Sequence, residues 1–159
     1  RQRSVKINTA AVSRCIETAI SAVVRRRHRQ SSLPPIEVSV VFVNDRTMRQ
    51  LNRTWRGKDK TTDVLSFPFE DDVWSISDGC AEDLPPCELG DIVISIPQAI
   101  RQAQAYQVML SEEIARLLVH GSLHLLGYDH ERGPAEARAM RSLERAILHK
   151  IKKEPLCSN

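Results

Sequence analysis

An α+β fold is predicted, a single domain over residues 1–159 with a mixed sheet of about four strands and helices packed on it. Three observations point there. Short β-rich runs alternate with amphipathic helical stretches in the order strand, helix, strand, helix, strand, strand, then helices only. The 159 residues, 42% of them hydrophobic, suit one core. Aromatic residues are only 4%, so that core is built from Leu, Ile, Val and Ala.

Ser4 to Asn8 alternates, with Val5 and Ile7 on one side, and reads as a short first strand. Thr9 is the expected cap of a helix whose apolar residues, from Ala11 and Val12 through Cys15, Ile16, Ala19 and Ile20 to Val23 and Val24, recur in steps of three and four. The cluster Arg25-Arg26-Arg27-His28-Arg29 ends it, where cations suit the negative end of the helix dipole. Ser31 to Pro35 breaks the helix, and the Val- and Ile-rich run Ile36 to Asn44 predicts a strand. Asp45 is the expected cap of a short helix to about Arg53, with Met48 and Leu51 inward. Arg46, Arg49 and Arg53 then share its outward face. Trp55 to Thr62 reads as a polar loop. In Val64 to Glu70, Pro68 cannot donate a ladder hydrogen bond, which predicts an edge strand along which an extended ligand could lie.

Asp71 to Glu88 is expected as an acidic loop, placed away from any polyanion's path. Leu89 to Ile96 predicts a strand, and Ser95 with Pro97 starts a helix to about Val108. Ser111 is the expected cap of the next helix, with Glu112 and Glu113 in its first turn and a buried stripe of Ile114, Leu117, Leu118 and Leu125. Gly133-Pro134 starts a last helix to about Lys153. Its apolar face is Ala137, Met140, Leu143, Ala146, Ile147 and Ile151.

The formal net charge is only +3, but it is segregated. Residues 45–60 hold six cations against two carboxylates, and residues 70–91 hold eight carboxylates with no Lys or Arg. The four cysteines, Cys15, Cys80, Cys87 and Cys157, have no familiar zinc-finger spacing and are expected to be reduced. No apolar run approaches the ~20 residues of a membrane span, and no signal-peptide pattern opens the chain. The expected setting is the cytoplasm, or an organelle if a leader has been removed.

The stretch His120-Gly121-Ser122-Leu123-His124-Leu125-Leu126-Gly127-Tyr128-Asp129-His130 carries three of the five histidines. A spacing of four puts His120 and His124 on one helical face, where two imidazoles can share an ion. Gly127 suits the helix stop, because glycine accepts the left-handed conformation without a Cβ clash. The chain can then return His130 to the same ion. Three imidazoles leave one tetrahedral position open, the layout of a catalytic rather than a structural zinc site. His149, near the end of the last helix, reads as a surface residue.

The spacing is similar to that of the metzincin proteases, down to the glycine seven residues after the first histidine. Those enzymes carry a Glu general base directly after that histidine, whereas this chain has Gly121. The whole string HGSLHLLGYDH instead resembles the YbeY family of bacterial metal-dependent endoribonucleases. Trp55-Arg56-Gly57-Lys58-Asp59-Lys60-Thr61-Thr62-Asp63-Val64-Leu65-Ser66-Phe67-Pro68 and Leu89-Gly90-Asp91-Ile92-Val93-Ile94-Ser95 resemble that family's other motifs, in the same order. The resemblance implies a zincin-like metal-site helix and a hydrolase acting on ester bonds in single-stranded RNA. It further implies a part in maturing the 3′ end of small-subunit ribosomal RNA and in ribosome quality control. The small ribosomal subunit and an Era-type GTPase are partners implied by the family alone.

Zn2+ is the expected cofactor, one ion held by His120, His124 and His130, although three imidazoles also accept nickel, copper or iron. Neutral ligands leave the ion its full charge, which can bring the pKa of a bound water to roughly 7 or polarise a phosphoryl oxygen. Negative charge building on a cleaving phosphodiester needs a cation, and the planar fork of Arg56 suits it. Read alone, Arg56 is a solvated surface cation; the resemblance aligns it with the family's essential arginine. Arg46, Arg49 and Arg53 are candidate phosphate contacts. Asp63 and Ser66 can position substrate or hold their loop. Asp129 can orient an imidazole or cap the turn. No residue stands out as general base, and the nucleophile is either water or the RNA 2′-hydroxyl. Two other readings are weighed against this one: a metallopeptidase, which Gly121 opposes, and a non-enzymatic ribosome-binding factor whose zinc is structural.

Overall fold

The computed structural model describes residues 5–27, 35–69, 86–151 and 155–158. Along the chain run β1 (Lys6–Ile7), α1 (Thr9–Arg27), β2 (Ile36–Val43), α2 (Asp45–Arg56), β3 (Val64–Pro68), β4 (Cys87–Ser95), α3 (Ile96–Tyr106), α4 (Leu110–Leu125), α5 (Pro134–Lys150) and β5 (Cys157–Ser158). The fold is α+β with a mixed sheet. Among the described residues that sheet has three strands in the order β2-β4-β3, with β4 parallel to β2 and antiparallel to β3. The first strand is not its fourth member. β1 pairs instead with β5 in a separate antiparallel ribbon, a long-range contact that no local pattern announces.

Each face of the sheet is covered differently. Ile92 and Ile94 of the central strand point into the main core, with Ala19 and Val23 of α1, Leu117, Leu118 and Leu123 of α4, and Met140 and Ile147 of α5. Val93 and Leu65 point the other way and meet Met48 of α2, flanked by Leu51 and Phe67. This is the period-2 alternation of strand side chains sorting residues onto two layers. Helix α4 touches α1, α3, α5, β3 and β4, and Ile114, Leu117, Leu118, Val119 and Leu123 are fully buried. Burying such a side chain is worth about 1.5–3 kcal/mol, so this helix is held from several sides.

Several helix ends differ from their expected positions by one residue or more. Asn8 rather than Thr9 accepts from the Ala11 amide at the start of α1. Asn44 rather than Asp45 accepts from the Thr47 amide. Asp45 is instead turned to Arg101, Ser95 and Thr61, and the Arg101 guanidinium foremost holds its carboxyl below the usual range. Helix α4 starts at Leu110 with Met109 at the cap position, where the Glu112 carboxylate accepts the Met109 amide; Ser111 lies inside the helix. Helix α2 runs through Trp55 and Arg56, not only to Arg53, until Gly57 closes it at φ 65°. The acidic stretch expected as a loop over 71–88 lies outside the described residues, except that Pro86 precedes β4 and Cys87 and Glu88 open it. Ser4 and Cys80 also lie outside the described residues, whereas α5 ends at Lys150, short of the expected Lys153, with Ile151 already extended. Cys15 and Cys157 are free thiols, and burial pushes the Cys15 thiol up to about 12.

A bulge at Leu89 lets Val38 face Gly90 after Glu37 faces Glu88. Gly90 sits at φ 132°, and a Cβ there would lie 2.1 Å from the Phe67 carbonyl oxygen. The atoms it would meet are backbone of β3, which cannot yield as a flexible side chain would. Gly90→Ala is expected to lower the unfolding free energy by more than about 2 kcal/mol. It would be read as a lower urea midpoint at unchanged slope.

Candidate metal centre

The last turn of α4 and the bend after it form the centre. A Schellman closure ends the helix: the Gly127 amide donates to the His124 carbonyl, and the Tyr128 amide donates to the Leu123 carbonyl at 3.0 Å. Gly127 takes φ 82°, so the chain doubles back as its type and position suggest. The Asp129 carboxylate then accepts the Glu131 amide at 2.8 Å, which sets the turn carrying His130. Of the two roles open to Asp129, turn capping is the one its hydrogen bond serves.

The three imidazoles converge. Their rings lie 4.6, 5.3 and 5.1 Å apart centre to centre, and one nitrogen from each falls within 4.8 Å of the others. His120 Nε2 and His124 Nε2 are 3.1 Å apart. On its other side, His120 Nδ1 meets the Glu144 carboxylate at 2.6 Å. That carboxylate draws the imidazole proton to Nδ1 and leaves the Nε2 lone pair facing inward. Facing lone pairs at such a distance repel unless a proton or a cation lies between them. Burial foremost, with the neighbouring His120 and His130, pushes the His124 pKa down to about 4. A His124 that is neutral at pH 7 keeps one ring nitrogen unprotonated, and that nitrogen can serve a metal. Two nitrogens bound tetrahedrally at 2.0–2.1 Å would stand roughly 3.3 Å apart, close to the spacing seen. The donor set therefore fits a transition metal. Among the described residues the converging group contains these three side chains and no fourth.

Glu144 comes from α5 and was not legible as part of a site. It does leave a trace in the sequence: a carboxylate on the stripe of Met140, Leu143 and Ile147, which otherwise faces the core. Arg116 was missed as well. It lies one turn before His120 on α4, and its guanidinium meets the buried Glu113 carboxylate at 2.6 Å and Asp63 at 3.4 Å. Asp63 also accepts from Gln102, the Val64 amide and Thr62. Burial would raise its pKa, but these hydrogen bonds hold it below the ordinary value. Asp63 thus ties the entry of β3 to α3 and α4.

A cavity of about 610 Å³ opens over the centre, lined by the three histidines, Arg56, Ser66 and Arg116 among others. Among the described residues β3 is an edge of the sheet, as Pro68 predicted, and it forms one wall. Arg56 reaches that cavity from the end of α2, where it donates to Glu131 at 2.9 Å. Arg46, Arg49 and Arg53 are exposed on α2 and do not line it. Arg49 is engaged by Asp59 through two hydrogen bonds of 2.8 Å. His149 is exposed and stands apart from the group.

Gly121 has a steric cause. A Cβ there would lie 2.9 Å from Ile92 Cγ2 and 3.1 Å from Ser66 Oγ. Helix α4 lies so close to β3 and β4 that no side chain fits.

Comparison with known proteins agrees with this architecture. The family model described as Endoribonuclease YbeY matches residues 1–152. A curated relative from Persephonella marina, named Endoribonuclease YbeY, is 46% identical over 121 residues, covering 74% of this chain and 71% of the relative. One of the same name from Myxococcus xanthus is 50% identical over 124 residues, covering 75% of this chain and 38% of that longer protein. Another from Aquifex aeolicus is 40% identical over 148 residues, covering 93% and 87%. A solution structure of a Thermotoga maritima protein shares the fold with a TM-score of 0.56 at 22% identity, over 92% of this chain and 85% of that one. A histidine-bearing core helix, an edge strand beside it and a family match running almost end to end lead to one conclusion: this chain belongs to the YbeY family.

Proposed function

We propose that the protein is a zinc-dependent endoribonuclease that hydrolyses single-stranded RNA, and that its substrate is the 3′ end of small-subunit ribosomal RNA. The observation that carries this reading is the convergence of three imidazoles and Arg56 on one cavity beside an edge strand. Family membership supports it, since the relatives bear the name Endoribonuclease YbeY. The ribosomal substrate, and work beside the small subunit and an Era-type GTPase, extend the same reading.

His120, His124 and His130 would hold the ion, and Glu144 would keep His120 in the tautomer that binds it. When bound, zinc supplies Lewis acidity at the phosphoryl group. Arg56 would meet the charge that grows on the nonbridging oxygens. Its contact with Glu131 is no obstacle, because both side chains are substantially exposed, at 39% and 62%. Such pairs are worth about 0–1 kcal/mol, less than a charge-assisted, two-pronged bond to phosphate at about 1.5–3 kcal/mol. Ser66, on the cavity wall, would orient the strand, while Asp63 and Arg116 brace that wall. A general base carried by residue 121 is sterically barred, which counts against the peptidase reading and leaves the proton from water or a 2′-hydroxyl to solvent or the substrate.

Purified protein is expected to cleave unpaired RNA, to lose that activity in chelator and to regain it with zinc. His120→Ala and Arg56→Ala should each reduce cleavage at least about 100-fold, the scale of removing one transition-state charge partner. Equal cleavage in all samples would mark a contaminating nuclease. Arg56→Ala should leave zinc content unchanged, whereas His120→Ala should lower it.

Glu144→Ala is expected to weaken zinc affinity by about 10- to 100-fold, measured by competition with a chromophoric chelator. Glu144→Gln retains an acceptor for the Nδ1 proton and should lose less. Equal affinities in all three proteins would assign Glu144 to packing alone.

A further inference from the structure

Trp55 is the feature the proposed chemistry leaves unused. Its side chain is 67% exposed, more than any other large apolar residue among those described. One aromatic neighbour steadies it: Phe67 of β3, with ring centres 5.7 Å apart and planes at 65°. A single exposed apolar residue is ordinary on a protein surface, but the position of this pair is not. Arg56, the next residue on α2, lines the cavity, and so do Ser66 and Pro68 on either side of Phe67. Phe67 points to the α2 face of the sheet, packed with Met48, so the ring pair stands on that face of β3, one residue along both elements from residues that line the cavity.

The neighbours of Trp55 indicate what it faces. Arg53, Thr54, Arg56, Gly57 and Lys58 are exposed around it, with no further large apolar side chain in that run. An apolar peptide would want an apolar surround, whereas a polyanion with flat bases suits an indole set among cations. We infer that Trp55, steadied by Phe67, is a stacking subsite for one unpaired nucleobase of the RNA strand whose phosphate lies at Arg56. This rests on the proposed RNA substrate and adds to it a position that reads a base rather than the backbone. In a duplex, a base has both faces covered by its neighbours, so only a splayed, single-stranded base can use the subsite. Stacking on an aromatic ring tolerates any base, because every base has a π-face. The subsite thus selects strand state and not sequence.

The test uses the full chain carrying Trp74→Phe, which leaves Trp55 as the sole tryptophan. A short unpaired RNA is titrated in chelator to prevent cleavage, and tryptophan emission and binding are followed together. Quenching of Trp55 is expected on binding. Trp55→Ala should weaken binding about 5- to 150-fold, the range of one stacked base, while Trp55→Phe should stay within about threefold by the same estimate. An RNA with one abasic nucleotide, moved along the strand, should bind the tryptophan protein more weakly at one position and show no such penalty with Trp55→Ala. With zinc restored, Trp55→Ala should raise KM and leave kcat close to its starting value. Unchanged binding by Trp55→Ala, or abasic penalties that simply add to it, would overturn the subsite and leave this surface to a protein partner. In either case, RNA cleavage by the parent protein would stand. Failure of the parent protein to bind or cleave unpaired RNA would remove the proposed function and the subsite together.

Discussion

The close approach of α4 to the sheet governs this molecule. At Gly121 the helix comes within van der Waals limits of Ile92 on β4 and Ser66 on β3, with no allowance for a Cβ. That contact sets His120 and His124 against the edge strand, so the imidazoles and the strand share one cavity. It also determines which chemistry is missing. The residue after the first histidine would be the natural carrier of a carboxylate base, and here that space is filled by Ile92. The same packing that places His120 and His124 leaves no room for a carboxylate side chain at position 121.

Around this contact the charged groups are arranged as braces. Asp63 joins the start of β3 to Arg116 and Gln102, and buried Glu113 fixes Arg116 from its own helix. Glu144 links α5 to His120. Asp45 links α2 to Arg101 of α3. A buried carboxylate such as Glu113 is tolerable only because its partner is close and well aligned. These links cross between elements, so they set the relative positions of the parts more than they add to stability. Arg56 differs from the rest. Its partner Glu131 is exposed, so its guanidinium remains available to a ligand in the cavity.

Much of the fold was legible in the residues, and the reasons are specific. The three- and four-residue recurrence of Leu117, Leu118 and Ile114 marked a helix because a buried stripe imposes that period. Pro68 marked the sheet edge because it cannot donate to a neighbouring strand. Gly127 marked the helix end because a left-handed residue has to sit there. Caps were less legible: Asn8 and Thr9 are both suitable, as are Asn44 and Asp45, and long-range partners decided between them. Asp45 forms helical backbone at the first position of α2 because Arg101, Ser95 and Thr61 claim its carboxylate. Residues distant in sequence were the least legible. Glu144 follows the third histidine by one helix start and nearly three turns, and no spacing rule joins them.

The sequence alone determined that three imidazoles lie on a helix and the bend after it, since both are properties of a few consecutive residues and their backbone preferences. It determined the edge strand and the amphipathic faces for the same reason. Only the tertiary structure decided what those parts face. Arg56 rather than Arg46, Arg49 or Arg53 enters the cavity because α2 crosses the sheet face and ends at its edge. The carboxylate behind His120 is Glu144 and not Asp129, because α5 packs on α4 while the turn uses Asp129 for its own amide. The first strand leaves the sheet because β5 returns from the other end of the chain to pair with it. These outcomes depend on which surfaces pack together, and packing is a property of the whole chain rather than of any segment of it.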